Sequence, residues 1–186
     1  IIQQYTDTNV VVQKKGLGGS LASQVVTEVD LLCQDSILKG LKESIDLYDL
    51  GLLTEESPDD HSRFIKDYYW CIDPIDGTLA FIKGHAGYSV SIALVSQVGE
   101  AVLGVVYDPV TETLYRAIKG GGLYRNETPW SPQSLSNDLT FVGDSSFVTH
   151  PRYQNTLQKL DELANQLGYE KVKLLQQGGA VMNAIW

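Results

Sequence analysis

Tyr68-Tyr69-Trp70-Cys71-Ile72-Asp73-Pro74-Ile75-Asp76-Gly77-Thr78 is the stretch on which the reading of this chain turns. Tyr68 to Asp73 reads as a buried strand, and a short helix starts at Gly77. Pro74 fixes its own φ and keeps Asp73 extended. Asp73 and Asp76 then converge, with the Ile75 carbonyl between them. Two carboxylates and a carbonyl make a hard, oxygen-only donor set, which suits Mg²⁺. The backbone N–H groups of Gly77 and Thr78 lie at a helix start, lack partners within the helix and face an anion. Taken alone, residues 73–78 are equally ordinary turn and cap chemistry.

Working outward, two further acidic positions precede this stretch. Glu55-Glu56-Ser57 follows a short apolar segment, Leu50 to Leu53. Adjacent carboxylates there read either as solvated loop charge or with Glu55 as a further metal ligand. Asp30 lies three residues after Thr27, a capping-box spacing that starts a helix. Leu31, Ile37, Leu38, Leu41 and Ile45 give that helix an apolar stripe. Before it, residues 14–24 are Gly- and Ser-rich and read as a mobile loop carrying Lys14 and Lys15.

Downstream, residues 87–124 alternate with a period of two between turn signals, as in sequential antiparallel hairpins. Gly120-Gly121-Gly122 lacks the strand–loop–helix setting of a nucleotide fingerprint and reads as a turn. Leu139 to Gly143 is a strand. Tyr153, Leu157, Leu160, Ala164 and Leu167 mark a helix that stops at Gly168. Lys171 to Leu175 is another strand, and Ala180 to Trp186 is helical. The order suggests a metal- and phosphate-binding part over residues 1–125 and the beginning of a second α/β part over 126–186.

With 43% hydrophobic residues in 186, the chain can fill a core. A net charge of −9 argues against a nucleic-acid polymer as partner but not against a small anion held through metal ions. No apolar run suits a bilayer span, and the N-terminus lacks a secretory layout. Cys33 and Cys71 sit in apolar surroundings and read as reduced core thiols of a cytoplasmic protein. His61, His85 and His150 show no ligand spacing, and no Gly-x-Ser-x-Gly elbow occurs.

Three acidic motifs in order, Val-Thr-Glu-Val-Asp at 26–30, Thr-Glu-Glu-Ser at 54–57 and Asp-Pro-Ile-Asp-Gly-Thr at 73–78, give the chain a resemblance to the inositol monophosphatase-like family of Mg²⁺-dependent, lithium-sensitive phosphatases. The resemblance implies a layered α/β sandwich, with a mixed, largely antiparallel sheet flanked by helices. It implies metal ligation by Glu55, Asp73, the Ile75 carbonyl and Asp76, with two or three Mg²⁺ ions in the intact family. It implies phosphate contacts from Gly77 and Thr78, and a Thr78–Asp30 pair that orients and deprotonates the attacking water. Gly178, Gly179 and Ala180 stand where the family contacts substrate through its backbone. The substrate implied is a small phosphate ester such as inositol monophosphate; the alternatives are a 3′(2′),5′-bisphosphate, a sugar bisphosphate, or metal and phosphate binding without turnover.

One departure stands out. The family carries a further metal-binding Asp directly after a Trp, and no Trp-Asp pair occurs here. Trp70 and Trp130 are followed by Cys71 and Ser131, and Trp186 is the last residue. The expectation is therefore a fragment, a phosphatase by class with little turnover of its own. Its uncovered apolar surface would favour self-association, as in a homodimer.

Overall fold

The computed structural model describes residues 1–5, 12–14, 25–132, 136–143, 147–175 and 178–185. Lys15 and most of the Gly-rich loop lie outside them; Lys14 ends a short strand. The elements run α1 (Ile2–Tyr5), β1 (Val12–Lys14), β2 (Val25–Thr27), α2 (Glu28–Tyr48), β3 (Gly51–Thr54), β4 (Tyr68–Asp76), α3 (Thr78–Ile82), β5 (Ser89–Ser96), β6 (Ala101–Asp108), β7 (Thr113–Ile118), β8 (Gly122–Arg125), β9 (Thr128–Pro129), β10 (Leu139–Val142), α4 (Tyr153–Leu167), β11 (Val172–Leu175) and α5 (Ala180–Ile185). Strands β3 to β9 form one seven-stranded sheet in sequential order. Only β3 and β4 pair in parallel; every other pairing in this sheet is antiparallel. The meander and the turn at Gly120–Gly122 match the reading from sequence, and the sheet continues past that turn through β8 and β9.

Helix α2 forms because its start is locally satisfied. Thr27 accepts from the N–H groups of Val29 and Asp30, and the Asp30 carboxylate accepts from the Thr27 N–H at 2.8 Å, a full capping box. The helix ends at Asp49 in the left-handed region. Of the expected stripe, Ile37, Leu38, Leu41 and Ile45 lie half-buried on its inward face. Leu31 is 42% exposed, while Val29, Asp30, Cys33 and Gln34 are buried. Leu31 alone leaves the stripe, because the start of the helix turns polar Asp30 and Gln34 inward with Val29 and Cys33.

The core cluster is Ile2, Val29, Cys33, Ile75, Ala80, Phe81 and Tyr88. Phe81 and Tyr88 meet edge to face with ring centroids 5.3 Å apart. Ile75 is fully buried, so the acidic stretch is nailed into the core by its middle residue while Asp73 and Asp76 stay half-buried on either side. Strand β4 runs through Asp76 rather than ending at Asp73, and its register with β5 slips between Asp73 and Asp76. That slip is how a strand containing Pro74 bends without leaving the sheet. Toward the other end of β4, the Trp70 indole donates to Ser44 Oγ at 3.1 Å and ties α2 to the sheet.

Strands β10 and β11 form a separate parallel pair, crossed by α4. Ala164 on α4 is buried and Gly168 caps the helix with a left-handed φ of 80°. Leu167 is 61% exposed and does not belong to the packed stripe. Cys33 is buried, but Cys71 is only half-buried; both are free thiols. Leu47, Tyr48, Phe64, Ile65 and Val98 are exposed around the far end of α2 and the sheet. No helix among the described residues is long and apolar enough to cross a membrane.

Candidate active site

Parallel pairing of β3 with β4 builds the first half of the site. Thr54 lies opposite Ile72, and the Glu55 N–H donates to the Ile72 carbonyl at 3.1 Å. The next residue on each strand is an acid, Glu55 and Asp73, so two chain-distant carboxyls emerge side by side. Their side chains hydrogen-bond each other, which needs Asp73 to carry a proton. Burial, followed by the charges of Glu55 and Asp76, pushes the Asp73 carboxyl up to about 8. Asp73 also accepts from the Ile75 N–H at 3.1 Å, which holds the turn through Pro74.

The second half is the Thr78–Asp30 pair. Thr78 is buried at the start of α3, and its hydroxyl lies 3.3 Å from Asp30 Oδ1 and 3.1 Å from the Ile75 carbonyl. One hydroxyl proton serves two acceptors, so the Thr78 oxygen keeps its lone pairs free to accept. Asp30 is fully buried, and burial raises its carboxyl above the ordinary range despite bonds from Thr27 and Thr78. The Thr27 hydroxyl also donates to Asp30 Oδ2 at 2.5 Å. Asp30 thus both caps α2 and grips Thr78, across 48 residues of sequence.

Asp76 points elsewhere. Its two oxygens accept from the N–H groups of Ala180, at 3.1 Å, and Val181, at 2.9 Å. Burial raises this carboxyl, and those two N–H groups partly offset the rise. Three glycines make the approach possible. Gly77 has φ +88°, and a Cβ on it would lie 2.8 Å from the Gly179 nitrogen. A Cβ on Gly178, also at positive φ, would lie 2.9 Å from the Gly87 carbonyl oxygen, and one on Gly179 would collide with the Asp76 carboxylate. The Gly179 N–H meanwhile donates to that Gly87 carbonyl at 2.6 Å. Residues 178–180 are therefore brought against the acidic stretch, with the N–H groups of Gly179 and Ala180 already engaged.

The donor set fits a hard divalent cation. Glu55, Asp73, the Ile75 carbonyl and Asp76 offer only oxygens, and the raised Asp73 carboxyl marks negative charge crowded enough to need a counter-ion. The set is not closed in advance: among the described residues no three His, Cys, Asp or Glu side chains are gathered ready to hold a metal. Asp76 is the member held aside, on α5.

Residues 1–185 match the inositol monophosphatase family. The chain belongs to that family. Similar to it are an inositol-1-monophosphatase of Bacillus subtilis, 29% identical over 132 residues, covering 70% of this chain and 49% of the relative. A 3′(2′),5′-bisphosphate nucleotidase CysQ of Salmonella typhimurium is 42% identical over 96 residues, covering 51% of this chain and 38% of that protein. An IMPase/NADP phosphatase solved with Mg²⁺ and phosphate shares the fold, with a TM-score of 0.71 at 22% identity over 98% of this chain and 64% of that one. The chain spans about half or less of the length of these curated relatives.

Two contributors escaped the sequence reading. Gly87, at a φ of 106°, supplies the carbonyl on which Gly179 docks, and being a glycine was its only signal in the sequence. Gln34, buried one turn beyond Asp30, donates to Ser57 Oγ at 2.9 Å. Its spacing of four from Asp30 placed it on the same helix face.

Proposed function

We propose that this chain carries the metal and phosphate cradle of a Mg²⁺-dependent phosphomonoesterase acting on a small phosphate ester, such as inositol monophosphate. The observation that carries the reading is the pairing of Glu55 with Asp73 on adjacent parallel strands, beside a Thr78 hydroxyl backed by buried Asp30.

Glu55, Asp73, the Ile75 carbonyl and, once released from α5, Asp76 are the residues that would hold Mg²⁺. When bound, Mg²⁺ supplies charge stabilisation to the phosphoryl oxygens and acidifies a coordinated water. Mg²⁺ lowers that pKa only modestly, so protein groups complete the proton removal. The Thr78 oxygen accepts the water's proton while its own proton passes to Asp30 Oδ1. A buried carboxylate whose pKa lies above the ordinary range is the stronger base for that step. The backbone N–H groups at Gly77 and Thr78 face the phosphoryl oxygens at the start of α3.

The test is phosphate release from inositol monophosphate and from 3′-phosphoadenosine 5′-phosphate, with Mg²⁺, with and without lithium. Mg²⁺-dependent release that lithium suppresses supports the reading. The 42% identity to CysQ across 96 residues supports the bisphosphate as the second substrate class, and faster release from it would select that class. Binding without release by this chain, together with no release by a version extended to the full length of its relatives, sinks the phosphatase reading and leaves a binding module.

A further inference from the structure

We propose that Gln34 is a positioning residue for Glu55, acting through Ser57. The proposal rests on the reading of Glu55 as a metal ligand. Glu55 is exposed and its side chain meets Asp73, so whether the two carboxyls stay side by side depends on the turn formed by residues 55–57. The front of that turn is pinned by the Glu55 N–H on the Ile72 carbonyl at 3.1 Å. The rear is pinned by Gln34, whose Nε2 donates to Ser57 Oγ at 2.9 Å across 23 residues of sequence.

Gln34 has little reason to be there as packing. It is 5% exposed on the helix face that also buries Val29 and Cys33, and its Oε1 is buried without a hydrogen-bond partner. A half-satisfied amide on an apolar face is a poorer core residue than Leu or Met of similar size. What the amide does that an apolar side chain cannot is hold Ser57. Asp30 and Gln34 are four apart and share one face of α2. The same rigid helix therefore sets the Thr78 hydroxyl through Asp30 and the Glu55 turn through Gln34. Two segments far apart in the sequence are gauged from one rod.

The experiment uses the 186-residue chain with Gln34→Leu, Ser57→Ala and the double substitution. Hydrogen exchange over residues 55–57 is read without metal, and Mg²⁺ affinity is read by titration calorimetry. Losing one neutral hydrogen bond predicts about fivefold faster exchange in each single variant and Mg²⁺ binding weaker by about the same factor. The double variant should be no worse than either single one, because both remove the same link. Unchanged exchange in both single variants overturns the proposal. So does an affinity loss confined to Gln34→Leu, since the effect would then come from core packing. If Gln34→Leu fails to fold, Ser57→Ala, an exposed position, decides alone. If the unsubstituted chain takes up no Mg²⁺, the metal reading of the site fails, while the exchange result still decides whether Gln34 orders the turn.

Discussion

Replacing Gly179 by Ala should detach α5 from the acidic stretch while leaving the seven-stranded sheet intact. The new Cβ would overlap the Asp76 carboxylate and sit 2.8 Å from the Asp76 backbone carbonyl carbon. The carboxylate can swing aside, but the backbone cannot, and ordinary contact begins near 3.4 Å. Residues 179–181 must therefore back away by roughly half an ångström. That retreat stretches the bonds from Ala180 and Val181 to Asp76, at 3.1 and 2.9 Å, and the Gly179 bond to Gly87 at 2.6 Å. Hydrogen bonds to a charged group contribute about 1.5–3 kcal/mol each. Water regained by the freed groups reduces the loss, so about 2–3 kcal/mol of docking free energy should disappear. Amide exchange over residues 180–185 should then accelerate by about 30-fold or more, with β4 to β7 unchanged. Gly84→Ala is the control, because it also sits at positive φ but a Cβ there meets nothing within 4 Å. Unaltered protection of α5 in Gly179→Ala would refute the backbone-contact account of the joint.

Gly40→Ala, in the middle of α2 with open space around it, should raise stability by about 0.5–1 kcal/mol, seen as a higher denaturant midpoint. The raised Asp73 carboxyl sets a pH dependence. Because Asp73 is raised from 3.8 to about 8, the folded metal-free chain binds a proton the unfolded chain lacks, and its stability falls as pH rises across that window. Mg²⁺ should release close to one proton per ion at pH 7 and progressively less above pH 8, measured by calorimetry in buffers of different ionisation heat. Thr78→Ala should lower phosphate release by about 10²-fold or more at a stability cost of about 1 kcal/mol, whereas Asp30→Asn should cost more stability, since it also weakens the α2 cap by about 1 kcal/mol. Equal effects of the two substitutions on stability would count against separate roles.

Much of this site was written locally. The Thr27–Asp30 capping box, the strand into Asp73, the helix start at Gly77 and the stop at Gly168 each depend on neighbours within a few residues, and the structure bears them out. What sequence could not show was the choice among long-range partners. Asp76 and its α5 donors are 104 and 105 residues apart, and no spacing rule connects them. Leu31 was misread, and Gln34 passed over, for one reason. Hydrophobicity marks a buried face only where the buried groups are apolar, and α2 turns its polar residues inward to reach the site. Cys71 was read as core from its apolar neighbours, yet it flanks the half-open acidic end of β4.

The joint among Gly77, Gly87, Gly178 and Gly179 is made from main chain alone, apart from one carboxylate. Anchoring and recognition are thereby separated. The position of α5 is set by atoms every amino acid possesses, and at Gly77, Gly178 and Gly179 only the smallest residue fits. The side chains of Ala180, Val181 and Ala184 take no part in that anchoring, and only Met182 and Asn183 are committed to burial. The outward residues of α5 can be exchanged without moving the helix that carries them. A surface built this way can be retailored one side chain at a time while the acids beneath it stay where they are.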